Sequence, residues 1–227
     1  QGLSYFIINM EQPGVEVRQL AQMNGHASFN QVFLTDAEVL PDFQVGELGD
    51  GWQVATTTLM HERRAADSLR SWGQASKGDG PIYDQERVET ETTMQPYKWY
   101  PQRAGRVDLI MDRAKETGAI KDPAIRQEIA KLMTLHKSAE WTARRARAAQ
   151  EQGKPQGPEG SLGKLAASNV ARAAAKVHTL ISGADAMLTG EDSPMDGTIA
   201  EILVSFPASS IAGGTDEIQK NIIYGIL

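Results

Sequence analysis

Hydrophobic and polar positions along the chain change rhythm near residue 49. Before that point, residues 3–8 (LSYFII), 15–20 (VEVRQL) and 29–34 (FNQVFL) are rich in β-branched and aromatic side chains, and the turn-forming pairs Pro13-Gly14 and Asn24-Gly25 separate them. These runs predict antiparallel strands. After residue 49 the apolar positions recur at helical spacing. Asp50 is placed to cap a helix with Gln53 three residues on, and Trp52, Ala55, Leu59, Ala66 and Leu69 follow in steps that keep them on one stripe.

Between residues 71 and 104 the periodicity disappears. Gly73, Gly78, Gly80, Pro81, Pro96 and Pro101 interrupt any helix there, which predicts a long surface insertion. Helical signals resume over 107–117 with Gly118 as a stop. They restart at Asp122-Pro123, a cap followed by proline in the first turn, and run to Gly153. A connection rich in proline and glycine covers 154–160. Ser161 then caps an alanine-rich helix reaching about Leu180, a short helix follows at 198–206, and a last helix starts at about Asp216. The fold class this predicts is α+β, mainly α: a strand module over 1–48, then antiparallel helices of bundle length over 49–227.

Composition narrows the chemistry. With 227 residues, 41% hydrophobic and 23% charged, the chain suits one or two globular domains with a core rather than disorder. A net charge of −6 supplies no global basic field, so nucleic acid is not an expected partner. No run approaches the roughly 18 apolar residues of a membrane span, and no leader pattern opens the sequence, so a soluble cytoplasmic protein is the expectation. The absence of cysteine excludes disulfides, thiolate metal sites and a cysteine nucleophile. His26, His61, His136 and His178 show no ligand spacing, so no metal is expected.

One residue stands out in this pattern. Glu62 fills the gap in the apolar stripe between Leu59 and Ala66. A glutamate on a buried face loses hydration, which raises its pKa unless something compensates. Its helical neighbours are Thr58, Leu59, Ala65 and Ala66, so its own helix offers no ion pair. Three readings stand side by side: a catalytic base, a structural partner of a basic residue such as Arg144 or Arg147, or, with the helix rotated, an exposed glutamate. His61 and Arg63 fall off the stripe and read as solvated or paired.

Several segments together resemble a known family. LSYFIINMEQPGVEVR followed by FNQVFLTDAEVLPDFQVGELGDGW looks like the middle domain of acyl-CoA dehydrogenases leading into their C-terminal helical domain. The tail IAGGTDEIQKNIIYGIL resembles that family's flavin-contacting segment and final helix, and GPEGSLGKLAAS at 157–168 is similar to a stretch common in bacterial, especially actinobacterial, members. The resemblance implies the C-terminal part of a middle β-domain over 1–48 and a four-helix C-terminal domain over 49–227 with the insertion at about 71–104. It also implies FAD held between domains and across a homo- or hetero-oligomeric interface. The family's base stands either just before the Gly-Thr of the tail, where this chain has Gly213, or before an arginine on the first C-terminal helix, which matches Glu62-Arg63.

The implied reaction is α,β-dehydrogenation of an acyl-CoA thioester in lipid metabolism. Glu62 would take the α-proton while the β-hydride passes to the flavin, and an electron-transfer flavoprotein or similar acceptor would collect the electrons. Gly213, Gly214, Thr215, Asp216 and Glu217 match the flavin-contacting segment, Asp216 and Glu217 also reading as first-turn acids that complement a helix dipole. Three features depart from the family pattern. Its interface arginine segment is not recognisable, with Arg103 and Arg106 the nearby substitutes; Met60 stands where some members bind pantetheine with an acid; and its glutamine- and glycine-rich loop is blurred into HTLISGAD at 178–185. A same-fold flavin monooxygenase, a non-catalytic subunit of a heteromeric dehydrogenase, and a cofactor-free helical interaction module using Arg144, Arg145 and Arg147 are the competing readings.

Overall fold

The computed structural model describes residues 2–72, 78–94, 101–155 and 157–225, without the side chains of 63–64, 66–72 and 93–94. The side chains of Arg63, Ala66 and Leu69 therefore lie outside what is described, as do residues 73–77 and 95–100 of the expected insertion. The chain forms two compact units, Gln1–Lys98 and Trp99–Leu227.

In the first unit, β1 (Tyr5–Phe6) pairs antiparallel with β4 (Gln44–Val45), and β2 (Val15–Leu20) pairs antiparallel with β3 (Phe29–Leu34), Val15 facing Leu34 and Leu20 facing Phe29. The predicted strands at 15–20 and 29–34 appear with those bounds, while 3–8 contributes only two strand residues. Pro13-Gly14 turns as expected. Gly14 has φ 87°, and a Cβ there would sit 2.2 Å from the Thr35 carbonyl oxygen, so only glycine fits.

Helix α1 (Gly51–Trp72) begins where Leu3 O accepts the Gly51 N–H at 2.6 Å, and the Asp50 carbonyl receives the Val54 N–H. The change from strand to helix thus falls at residue 50. The compact unit extends further, to Lys98, because the strand-bearing N-terminus is bonded to the start of α1.

Two expectations are corrected in this unit. The glycines and prolines of the expected insertion do not break every helix there, because residues 81–94 form helix α2 (Pro81–Met94). Pro81 opens that helix: the Gly80 carbonyl takes the N–H groups of Tyr83 and Asp84, and proline in the first turn gives up no intrahelical bond. The described part of the stripe on α1 is also not buried, Trp52 being 66% and Leu59 45% exposed. Among the unit's described residues only Gly51 is buried, because its strands meet α1 only at the helix start.

The core lies in the second unit. It comprises a 3-10 turn Pro101–Ala104, α3 (Ile110–Glu116), α4 (Pro123–Glu151), α5 (Glu159–Ser182), α6 (Thr198–Ser205) and α7 (Asp216–Ile223). Asp122 caps α4 as predicted, its Oδ1 accepting from the N–H groups of Ala124 and Ile125, and Gly118 ends α3 in the left-handed region. Helix α5 starts two residues before the expected Ser161 cap: Pro158 O accepts from Leu162 N, and Ser161 falls inside the first turn.

Glu128, early in α4, bonds Lys176, late in α5, so the two helices run antiparallel. Val170, Ala174, Val177 and Ile181 follow one face of α5 and bury against Ile110 and Ala114 of α3 and Ile129 and Leu132 of α4. A second cluster joins Ala175 of α5 to Ile199 and Ile202 of α6 and to Ala186. Alanine keeps α5 thin enough to pack on both sides. Among the described residues no helix is long and apolar enough to cross a membrane, and no three acidic or histidine side chains converge as a metal site would require.

Candidate functional site

Where the 206–215 segment meets α7, several polar side chains converge. Thr215 is the N-cap of α7, its Oγ1 accepting the Ile218 N–H at 3.3 Å. Just before it, Gly213 (φ 71°) and Gly214 (φ 93°) hold left-handed backbone. Space beside Gly213 is open, the nearest atom to a Cβ there being Lys164 Cε at 4.0 Å, whereas a Cβ on Gly214 would strike the Gln219 amide at 2.7 Å. That amide comes from the next turn of α7. Buried Gln219 donates from Nε2 to both Gly213 O and Gly214 O at 3.1 Å. The two loop carbonyls therefore turn onto one side chain, and the first N–H groups of α7, at Asp216 and Glu217, have no carbonyl one turn earlier within the helix.

Asp216 and Glu217 part company. Glu217 is exposed, but Asp216 is buried, 6% exposed, with its carboxylate turned toward α5. Its Oδ2 accepts from Ser168 Oγ at 2.9 Å and from Arg172 Nη2 at 3.0 Å. Its Oδ1 is buried without a hydrogen bond, and Lys164 Nζ stands 3.9 Å from it while donating to Ser209 O at 2.6 Å. Burial pushes the Asp216 pKa up, but the hydrogen bonds from Arg172 and Ser168, with the charges of Lys164 and Arg172, outweigh it and hold the carboxyl below its ordinary value. Burial in turn lowers the Lys164 pKa, Asp216 opposing it.

The five tail residues are thus brought together at one loop–helix junction. Sequence reasoning missed Lys164, Ser168, Arg172 and Gln219, although the first three stand four residues apart, a spacing that places them on successive turns of one face of α5.

Glu62 belongs to the first unit and is exposed on α1, beside Met60 at 41% exposure. The burial expected for it is absent, and Trp52 and Leu59 of the stripe it interrupts are themselves exposed. Of the basic residues considered as its structural partners, Arg144 pairs with Glu140 of its own helix.

The suggested interface arginines are otherwise engaged. Arg103 is buried, its carbonyl accepting from Ser209 Oγ, and Arg106 pairs with Asp108 at 2.8 Å. The 178–185 segment runs from the last turn of α5 into a 3-10 turn, Gly183–Met187. Its His178 is fully buried, with Nε2 3.1 Å from Gly105 O and 3.2 Å from Arg106 O. Two carbonyl acceptors put the proton on Nε2, and burial holds the ring's pKa below its ordinary value.

Residues 104–227 match the C-terminal domain of acyl-CoA dehydrogenases. Over 225 residues the chain is 32% identical to the acyl-CoA dehydrogenase IpdE1 of Mycolicibacterium smegmatis, covering 98% of this chain and 47% of that protein. It is 29% identical over 228 residues to IpdE1 of Mycobacterium tuberculosis, covering 98% of this chain and 49% of that protein. The chain spans about half the length of these curated relatives. In fold it is similar to the solved Tcur3481-Tcur3483 steroid ACAD, with a TM-score of 0.67 at 16% identity, covering 98% of this chain and 50% of that one.

Proposed function

The chain belongs to the acyl-CoA dehydrogenase family, and from that premise we propose that it serves FAD-dependent α,β-dehydrogenation of an acyl-CoA thioester, with Glu62 as the base. What supports the reading is the family match over 104–227, together with the resemblance of Glu62-Arg63, which precede that match, to the family's helix-borne base, Gly213 standing at the other base position. The exposure of Glu62 on α1 leaves its oxygens open to a thioester, and an acyl chain laid over them would exclude water from the reacting atoms.

The tail junction fits the cofactor. Open space over Gly213, the first-turn N–H groups of α7 and the Thr215 hydroxyl suit the phosphate and polar chain of FAD. The negative charge of Asp216 is turned away toward Arg172 and does not oppose an anion there. In this reading 213–215, the backbone of Asp216 and exposed Glu217 hold FAD, which when bound supplies the hydride acceptor. An electron-transfer flavoprotein or similar acceptor then reoxidises the enzyme.

A second reading makes the chain one subunit of a heteromeric dehydrogenase. The similar steroid ACAD bears a double name, Tcur3481-Tcur3483, and here both candidate interface arginines are engaged within the chain. Glu62→Gln separates the two. In the assembled, flavin-loaded enzyme the variant keeps its shape but cannot take the α-proton, so single-turnover flavin bleaching by acyl-CoA should fall at least ~10²-fold with flavin content unchanged. Near-normal bleaching by a folded, flavin-loaded variant removes Glu62 from the mechanism.

A further inference from the structure

We propose that Asp216 is a positioning residue for the flavin: held by Ser168 and Arg172 of α5, it sets the place of the 213–215 loop, whose backbone and Thr215 hydroxyl make the contacts. This rests on the family reading above and sharpens it, since it assigns the acid of the tail motif to the loop's support. Asp216 follows Thr215 directly and opens α7, so fixing its side chain fixes the end of the loop. An ionised carboxylate buried this deeply is stable only with partners. It finds them on successive turns of one helix, Ser168 at 2.9 Å and Arg172 at 3.0 Å, with Lys164 one turn earlier at 3.9 Å.

Gln219 holds the loop from beneath through both glycine carbonyls. Clamped by a side chain at 216 and an amide at 219, the loop presents its remaining donors outward in one arrangement. Both hydrogen bonds of the Asp216 carboxylate are taken by Oδ2, and its Oδ1 is buried, with Lys164 Nζ 3.9 Å away. Arg172 is itself half exposed, so its tie to Asp216 can be cut without opening a cavity.

The test uses the assembled flavoenzyme with Arg172→Met, Arg172→Lys, Ser168→Ala, Asp216→Asn and the Arg172→Met/Asp216→Asn double variant. FAD affinity is read by flavin fluorescence, the bound flavin by its visible spectrum, and the apoprotein by thermal unfolding. Loss of one charge-assisted hydrogen bond should weaken FAD about tenfold in Arg172→Met and in Asp216→Asn. The double variant should be no worse than the single ones, the bound-flavin bands should shift in both, and Arg172→Lys should recover part of the affinity. If Asp216→Asn does not fold, Arg172→Met and Ser168→Ala carry the test.

Affinity within about twofold of wild type and an unchanged spectrum in Arg172→Met, whatever its melting temperature, would overturn the inference. So would additive losses in the double variant, or weakening confined to Asp216→Asn, which would mean the carboxylate touches FAD itself. Wild-type enzyme that takes up no FAD would overturn the proposed function and this inference together, whereas the other failures leave the function standing.

Discussion

Replacing Gly105 by alanine should damage the second unit more than the same change at Gly118, and the difference can be worked out from the structure. Both glycines hold left-handed backbone, φ 84° at Gly105 and φ 74° at Gly118, which costs an alanine roughly 1–2 kcal/mol. At Gly118 nothing lies within 4 Å of the added Cβ. At Gly105 that atom would sit 2.7 Å from Ala174 Cβ, 3.0 Å from Ala171 O and 3.1 Å from Ala171 Cα. Both alanines are fully buried on α5 and have no rotamer to yield, so the helix or the 101–106 segment must move.

Overpacking of this kind adds roughly 1–3 kcal/mol. Gly105→Ala should therefore cost about 2–5 kcal/mol in all and Gly118→Ala about 1–2 kcal/mol. Urea unfolding followed by circular dichroism measures both, and at roughly 2–4 °C per kcal/mol the pair should also separate in Tm. Because α5 carries Ser168 and Arg172, FAD affinity should fall with Gly105→Ala. Equal or smaller destabilisation at Gly105 than at Gly118 would refute the packing argument.

Two further predictions concern charge. The folded pKa of His178 lies below its unfolded value of about 6.5, so its contribution to stability is complete above that pH and is lost as pH falls through the folded pKa. His178→Gln keeps a donor without the titration and should flatten the drop in Tm between about pH 7 and 5; an unchanged slope would assign the dependence to other groups. Glu128 is held at about 2, first by its hydrogen bonds from Lys131 and Lys176. Lys176→Met should move that carboxyl toward its ordinary range in an NMR titration, and no upward shift would show that the bond between α4 and α5 does not persist in solution.

What the sequence revealed and what it hid follow from how far each signal reaches. The strands at 15–20 and 29–34, the stop at Gly118, the cap at Asp122 and the start of the last helix at Asp216 depend on neighbouring residues and were legible. Helix α2 was not, because Gly80 and Pro81 read equally well as breakers and as the opening of a helix. The stripe on α1 showed which residues share a face but not whether another layer covers it, and Glu62 proved exposed. At the tail, glycine, threonine and acid pointed to a polar junction. That Asp216 turns to Ser168, 48 residues earlier, depends on how α5 and α7 pack, which no local pattern records.

Gly213 carries a consequence for how such enzymes can diverge. A glutamate installed there by one substitution would inherit a φ of 71°, which suits glycine and strains a longer residue, and a carbonyl already fastened by Gln219. On the proposed assignment of the base to Glu62, a move of the acid to the tail carries the roughly 1–2 kcal/mol that left-handed backbone costs a non-glycine residue, a standing bias toward the helix-borne position in lineages that keep this loop.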